Sequence, residues 1–310
     1  SFMEKGNIYN EKSHKGHLLV LFANVIWGLN APIAKQVLNN LSPMGVTTFR
    51  MIGAAMAFWI LSLFLPKEKV EKRDRIRIFF ASLFAVVFNQ GLFIFGLSKT
   101  SPIDASIITT TAPIITMIAS AIFLREPITN KKVLGVIIGG SGAIILVLSG
   151  HTNTSAASSG LGNLMVLTAQ VSFAIYLTVF RDILTKYSPV TISKWLFLYA
   201  SICFLPFSSQ EIIAIPYPEI ATNIWLQLGF VVFGATFLSY LLMMSAQKLL
   251  RPTLISMYNN VQPIVATLLA LALGMDQMGW DKIVAIALVF SGVYVVTQSK
   301  SKADLDRMKQ

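Results

Sequence analysis

Charge is what this sequence has least of. Asp, Glu, Lys and Arg together supply 13% of its 310 residues, about half the share of a water-soluble domain. A soluble fold of this length is thereby excluded. Cysteine is nearly absent: Cys203 stands alone inside an apolar run, so there is no disulfide framework and no implied thiolate chemistry. Histidine is confined to His14, His17 and His151, at or beyond the ends of the apolar runs and not clustered, so no metal site is readable. Acidic residues are missing from the middle of the runs. All fourteen Asp and Glu lie between runs or near their ends; Asp104 comes closest, where it complements the start of a helix. An intramembrane enzyme would need paired carboxylates, a histidine cluster or a nucleophile with its base. None is present at depth, so neither a catalytic residue nor a cofactor is expected.

Apolar residues make up 55% of the chain and mean hydropathy is +0.67. They are gathered into ten runs, each near the length that crosses a bilayer as a helix. The runs are about 17–37, 43–65, 78–97, 102–124 and 133–148, then 161–180, 190–207, 224–246, 252–273 and 283–297. The expected fold is all-α, a polytopic membrane protein of ten transmembrane helices. The N-terminal tail is residues 1–16, of which Ser1-Phe2 is set aside as a cloning remnant, and the first five-helix unit is 17–149. A Ser/Thr/Gly-rich connector, 150–160, leads to the second unit, 161–298, and a C-terminal tail, 299–310.

The net charge of +11 resides between the runs, which argues for membrane orientation and against nucleic acid as a partner. Counted on alternating sides, twenty Lys and Arg fall on the side of the N-terminus and three on the other. That asymmetry predicts both termini in the cytoplasm of a cell whose plasma (inner) membrane holds the chain.

The halves repeat one another. A shift of 150 residues superposes Pro102 on Pro252, Ser106 on Ser256, Pro113-Ile114 on Pro263-Ile264, Glu126 on Asp276, and Ser141-Gly142 on Ser291-Gly292. A shift of 146 superposes Asn24 on Gln170, Lys35 on Arg181, and Ser42-Pro43 on Ser188-Pro189. Five spans is an odd number, so the second unit is expected upside down relative to the first: an inverted-topology repeat.

Two polar clusters interrupt the apolar runs, Thr109-Thr110-Thr111-Ala112-Pro113 and Asn259-Asn260-Val261-Gln262-Pro263. Each proline lies eleven residues after the proline that opens its run, roughly 16 Å deep at ~1.5 Å per residue. Pro113 and Pro263 cannot donate to the carbonyls of Thr109 and Asn259, so helix breaks are predicted there. Freed carbonyls near the midplane are costly in lipid unless they face a cavity, and paired interruptions in two halves mark substrate sites in transporters.

Other polar residues recur at interior depth: Asn24, Asn30, Asn89, Gln90, Gln170, Tyr176 and Tyr240. They either bond across helices or line an aqueous cavity from the first, third, fourth, sixth, eighth and ninth spans. Matched positions, such as Asn24 with Gln170 and Asn89-Gln90 with Ser239-Tyr240, favour the cavity. The candidate substrate-binding set is therefore Asn24, Trp27, Asn30, Arg50, Asn89, Gln90, Thr109, Thr110, Gln170, Tyr176, Tyr240, Tyr258, Asn259 and Gln262. Arg50 is a cavity-mouth group for an anion or an interfacial anchor with its head in water. Lys194 reads as such an anchor. Trp27 and Tyr258 are aromatic surfaces for a cargo or packing residues. Gly135-x-x-x-Gly139, with Gly140 and Gly142, has the spacing for close helix packing, in the fold or at a dimer contact; monomer and homodimer both stay open.

The chain resembles the drug/metabolite transporter superfamily, specifically its EamA-type ten-helix carriers, over roughly Gly16 to Gln298. Trp27-Gly28, Phe49-Arg50, Ala112-Pro113, Arg125-Glu126 and Gly135 through Gly142 carry the resemblance; Met275-Asp276 departs from it where the family often has Gly-Glu. The resemblance implies alternating-access carriage of small metabolites, often export of amino acids, through a site between the halves. Nucleotide sugars and other phosphorylated cargo are the alternative within transport, and lipid flipping the alternative outside it. Small multidrug exporters of the superfamily use an intramembrane Glu in the first span. Asn24 and Trp27 occupy that region here, so uncoupled or exchange transport of a zwitterionic or anionic metabolite is expected.

Overall fold

Serine followed by proline opens three of the helices. Ser42, Ser101 and Ser188 each cap a helix whose first residue is Pro43, Pro102 or Pro189. Their hydroxyls accept from the backbone N–H of Gly45, Asp104 and Thr191 at 3.1, 3.2 and 3.3 Å. The arrangement satisfies one otherwise unpaired donor and puts proline where its missing N–H costs nothing. The computed structural model describes residues 2–152, 159–247, 249 and 258–298. Every regular element among them is helical.

The first five helices are α1 (Phe2–Leu38), α2 (Pro43–Ser62), α3 (Lys72–Lys99), α4 (Pro102–Phe123) and α5 (Asn130–Thr152). They are followed by α6 (Gly160–Val179), a short helix Arg181–Lys186, α7 (Pro189–Ala214), α8 (Thr222–Ala246), α9 (Val261–Ala272) and α10 (Trp280–Thr297). Stretches within α1 to α8 are each long and apolar enough to cross a membrane. Pro252 and the 299–310 tail lie outside the described residues, so the predicted opening of the ninth span does too.

Several bounds differ from the sequence reading. Helix α1 runs back to Phe2 through the predicted tail, and α3 begins at Lys72, six residues before the predicted run at 78 and inside the basic segment 67–77. Hydropathy registers only the apolar part of a helix, whereas charged Lys, Arg and Glu continue one readily once it is nucleated. Helix α7 passes through Pro206 and ends at Ala214, beyond the predicted 207.

Helix pairing follows the repeat. Helix α2 packs on α7 and α5 on α10; α3 packs on α6 as α8 does on α1, and α4 packs on α6 as α9 does on α1. Exchanging each helix with the one five places away leaves this set of contacts unchanged, as a two-fold relation between the halves requires. Leu63, Phe64, Phe207, Ile213 and Trp280 are 78–81% exposed. These large apolar side chains at the periphery have lipid rather than water as their natural neighbour.

Apolar clusters pack toward both faces. Toward the face bearing the basic 67–77 loop, Met51, Phe58, Ile78, Tyr187 and Phe197 pack together with Tyr176, Phe237 and Tyr240. Toward the opposite face, Val37, Val46, Ile94, Ile224 and Val232 pack with Phe49 and Trp225. The loop that bears Pro216 and Pro218 lies there: Tyr217 stacks on Trp225 at 5.6 Å, and Trp225 meets Phe49 edge-on at 6.0 Å.

The glycine stripe serves the fold interior. The backbones of α5 and α10 approach so closely that a Cβ at Gly135 would lie 2.9 Å from Gly292 O, and one at Gly142 would lie 2.9 Å from Ala285 O.

Candidate functional site

The first predicted helix break is present; the residues just before the second, 250–257, lie outside the described residues. Helix α4 is interrupted at Thr110-Thr111 between Pro102–Thr109 and Ala112–Phe123. Helix α9 is entered through a 3₁₀ turn at Tyr258–Asn260. They also end alike: Arg125 (φ 53°) follows α4 and Gly274 (φ 66°) follows α9, each reversing the chain in the left-handed region. The α4 segment before its break packs against α9, and both pack against α1.

The threonines do not present free donors. Thr109 and Thr110 donate their hydroxyls to the carbonyls of Ala105 and Ser106 at 2.8 and 3.0 Å, and Thr111 donates to Ile108 O at 2.5 Å. The broken helix satisfies its own carbonyls this way; lone pairs of the hydroxyl oxygens remain as acceptors. Thr110 and Thr111 are 4% and 2% exposed, inside the protein rather than against lipid.

Most of the remaining predicted residues bond across helices. Gln262 donates to Asn24 Oδ1 at 2.8 Å, and Asn24 donates to Val20 O at 2.9 Å, joining α9 to α1. Tyr258 OH lies 2.6 Å from His17 Nδ1, so Tyr258 belongs to a small α1–α9 contact rather than standing open to a cargo. Asn89 donates to Ala169 O at 2.9 Å, joining α3 to α6. Several of the described residues expected to line a cavity are hydrogen-bonded across the halves. Among the described residues, Gln90 Oε1 and Asn30 Oδ1 are buried without a hydrogen-bond partner. Gln170 and Tyr176 are 8% and 6% exposed. Tyr176 and Tyr240 sit in the aromatic cluster with Phe58, to which Tyr240 is edge-on at 5.5 Å. Asn259 and Pro113 are half-buried, and Pro263 is buried beside a 160 Å³ apolar groove between α9 and α10.

Two π-helical stretches, not anticipated from the sequence, adjoin several of these groups. Helices α3 and α8 each contain a π-helical stretch, Leu83–Phe88 and Phe230–Leu238. The two end 150 residues apart, the repeat's own spacing, immediately before Asn89-Gln90 and Ser239-Tyr240. A π segment widens the helix, redirects its carbonyls and is frequent at functional sites. Here those carbonyls take partners from the other half: Trp27 Nε1 donates to Ala235 O at 2.9 Å, and Ser172 Oγ donates to Phe84 O at 2.7 Å. Thr236 and Ser239 hydroxyls donate to Val231 O and Gly234 O, five residues back. The only sequence cue is a pair of hydroxyl residues after Gly234, too common in membrane helices to be diagnostic.

Arg50 approaches the same segment. Its Nε donates to Thr236 Oγ1 at 2.9 Å. Arg50 is half-buried, and among the described residues no carboxylate lies within ion-pair distance of it. Lys194 Nζ lies 4.5 Å from the centre of the Trp59 ring.

Asp104 departs from expectation. It is 1% exposed and pairs with Lys282 at 3.4 Å; Lys282 pairs with Asp276 at 2.5 Å and donates to Ser101 Oγ at 3.1 Å. Asn163 donates to Asp104 Oδ2 at 3.0 Å and to Leu146 O at 2.9 Å. This buried ionic knot ties α4 to α6 and α10 on the face away from the basic loop. On the basic face the halves are clasped by Lys186 to Asp74 at 2.8 Å, by Tyr187 OH to the same carboxylate at 2.5 Å, and by Arg77 to Asp182. The Arg77 guanidinium holds the Asp182 carboxyl below the ordinary carboxylate range, and Asp74 raises the Lys186 ammonium above its ordinary value. Ser42 to Glu211 at 2.8 Å on one face and Ser188 N to Glu68 at 2.9 Å on the other are repeat-related versions of one contact.

The pattern that defines the EamA-like transporter family matches this chain twice, over residues 14–148 and 160–298. An uncharacterized transporter of Archaeoglobus fulgidus is 25% identical, the alignment covering 92% of this chain and 100% of the relative. The Bacillus subtilis transporter YyaM is 22% identical, over 89% and 92%. A WAT1-related protein of Arabidopsis thaliana is 21% identical, over 92% and 84%. A crystal structure with 15% identity superposes with a TM-score of 0.61 over 91% of this chain and 96% of its own, a likeness of fold alone.

Proposed function

Because the chain belongs to the EamA-like transporter family and is a multi-pass membrane transporter, we propose that it carries a small carboxylate-bearing metabolite, amino acids foremost, by alternating access. The binding region lies between the halves, around Arg50 and the π segments. Arg50 carries the reading. A half-buried guanidinium whose one protein partner among the described residues is the neutral Thr236 hydroxyl leaves its outer N–H fork unmatched. That fork is shaped for a carboxylate or phosphate, and a charge in this setting is costly without a counter-ion. Gln90 Oε1 and Asn30 Oδ1 are buried acceptors available to an ammonium or hydroxyl at the cargo's other end. The expected cell is one whose plasma membrane holds both termini on the cytoplasmic side.

Transport by exchange or without ion coupling fits the buried carboxylates. Asp104 and Asp276 share Lys282, so neither is an uncompensated acid poised to carry a proton.

The test is uptake and exchange in proteoliposomes with a panel of amino acids, dicarboxylates and nucleotide sugars. One class of anionic or zwitterionic cargo is expected to move, with no dependence on an imposed pH gradient. Losing a charge-assisted hydrogen bond costs about 1.5–3 kcal/mol, so Arg50→Gln is expected to raise KM for that cargo about tenfold to hundredfold. Unchanged transport of anionic cargo by Arg50→Gln overturns the assignment, and a preference for phosphorylated cargo selects the nucleotide-sugar alternative.

A further inference from the structure

A cavity lies on the basic face, at the periphery of the bundle. Lys72, Arg75, Ile76 and Phe79 recur at the three- and four-residue spacing that puts them on one side of α3. With Tyr199 of α7 they line a cavity of about 380 Å³. The composition is graded. Two cations stand at the loop end, and the isoleucine and two aromatic rings lie deeper along the helix. Ile76 and the adjoining Phe80 are 56% and 52% exposed, so the cavity borders the surface that faces lipid.

The charges here are unspent. Arg77 and Asp74, on the same helix, are used up by Asp182, Lys186 and Tyr187 of the other half. Among the described residues, no carboxylate pairs with Lys72 or Arg75, and Tyr199 OH makes no hydrogen bond. Arg75 is held instead over the Trp195 ring, 5.7 Å from its centre, and Trp195 stacks on Tyr199 at 5.6 Å and meets Trp59 at 5.0 Å. This aromatic group fixes the guanidinium at the level where indole and phenol rings settle in a bilayer interface.

We infer that this cavity binds the headgroup of an anionic phospholipid, with Lys72, Arg75 and the Tyr199 hydroxyl around the phosphate and an acyl chain running along Ile76, Phe79 and Phe80. A basic pocket between membrane helices with an apolar floor open to the side has the chemistry of such a lipid. A water-soluble phosphate compound would make no use of the apolar floor. The site is separate from Arg50, and its test does not depend on what the protein carries.

The full chain, purified from mixed phosphatidylglycerol and phosphatidylcholine, is examined by native mass spectrometry for retained lipid. Phosphatidylglycerol is expected to be retained preferentially. Each basic residue contributes about a fivefold preference, so K72Q/R75Q is expected to lower retention about twenty-five-fold. K15Q/K131Q, which removes the same charge elsewhere on the chain, is expected to retain the lipid. Inorganic phosphate at millimolar concentration is expected not to displace it. Equal retention of both lipids, unchanged retention by K72Q/R75Q, or displacement by phosphate overturns the inference. Should K72Q/R75Q fail to fold, brominated acyl chains decide the matter in the unmodified protein. Brominated phosphatidylglycerol should quench tryptophan fluorescence more than brominated phosphatidylcholine at equal content, and equal quenching overturns the inference.

Discussion

Replacing Lys282 with methionine is expected to destabilise the protein more than any other single side-chain truncation on the face away from the basic loop. Lys282 is 5% exposed and is the shared cation of Asp104 and Asp276, themselves 1% and 8% exposed. Removing it leaves two carboxylates close together in a low-dielectric interior. Breaking a buried ion pair from one side costs about 3–5 kcal/mol. Lys35 does not take over, because its ammonium already donates to the carbonyls of Leu97 and Ser98 at 2.8 and 3.2 Å. Asp276→Asn is expected to be much milder, since Lys282 keeps Asp104. The combination K282M/D104N/D276N removes every charge of the knot and should recover part of the loss. The measurement is the temperature at which half of the detergent-solubilised protein survives as a single size-exclusion peak. A Lys282→Met protein as stable as the parent would mean that the knot contributes nothing.

That knot also shows where reading a sequence stops. Asp104, Asp276 and Lys282 each stand at the end of an apolar run, and taken singly each reads as a solvated terminus. Only the packing of α4, α6 and α10 removes water from all three together. The break in α4 was legible because a proline's missing donor acts locally: the carbonyl of Thr109 loses its partner whatever else the fold does. The polytopic all-helical fold and the close glycine packing were legible for a related reason, since each is a pattern of residue types along the chain. The π segments were not. Their extra residue is stabilised by Trp27 and Ser172, which reach Ala235 O and Phe84 O from the other half of the molecule. For the candidate site, polar residues within the spans were legible and their partners were not. Asn24 and Gln262, expected to line a cavity, satisfy one another at 2.8 Å. In an alternating-access carrier such bonds belong to the closed state and are exchanged for bonds to cargo or water when the halves move apart. Arg50 is the exception, because no carboxylate within the described protein competes for its outer fork.

Gly292→Val is the second substitution with a large expected effect, and it tests the fold at the seam between α5 and α10. A Cβ at Gly292 would stand 2.5 Å from the Cα of Gly139 and 2.7 Å from the carbonyl oxygen of Gly135. These are backbone atoms, so no side-chain rotation relieves the collision; the helices must separate along the stripe that joins the two halves. Adding even a methyl group to a packed core costs about 1–3 kcal/mol where side chains can adjust. Here the whole seam must open, and little folded protein is expected to survive extraction. Gly140 lies on the same turn of α5 and has nothing within 4 Å of where its Cβ would be. Gly140→Ala should be tolerated, with a gain of about 0.5–1 kcal/mol from higher helix propensity. Gly142→Ala falls between, since its Cβ would meet Val289 Cγ2 at 2.8 Å and Ala285 O at 2.9 Å. The expected order of surviving monodisperse protein is therefore Gly140→Ala, then Gly142→Ala, then Gly292→Val. If Gly292→Val melts with the parent, α5 and α10 are not in backbone contact and the glycine stripe faces lipid or a second copy of the chain. If Gly140→Ala is the damaging change instead, the stripe is used by the opposite side of α5.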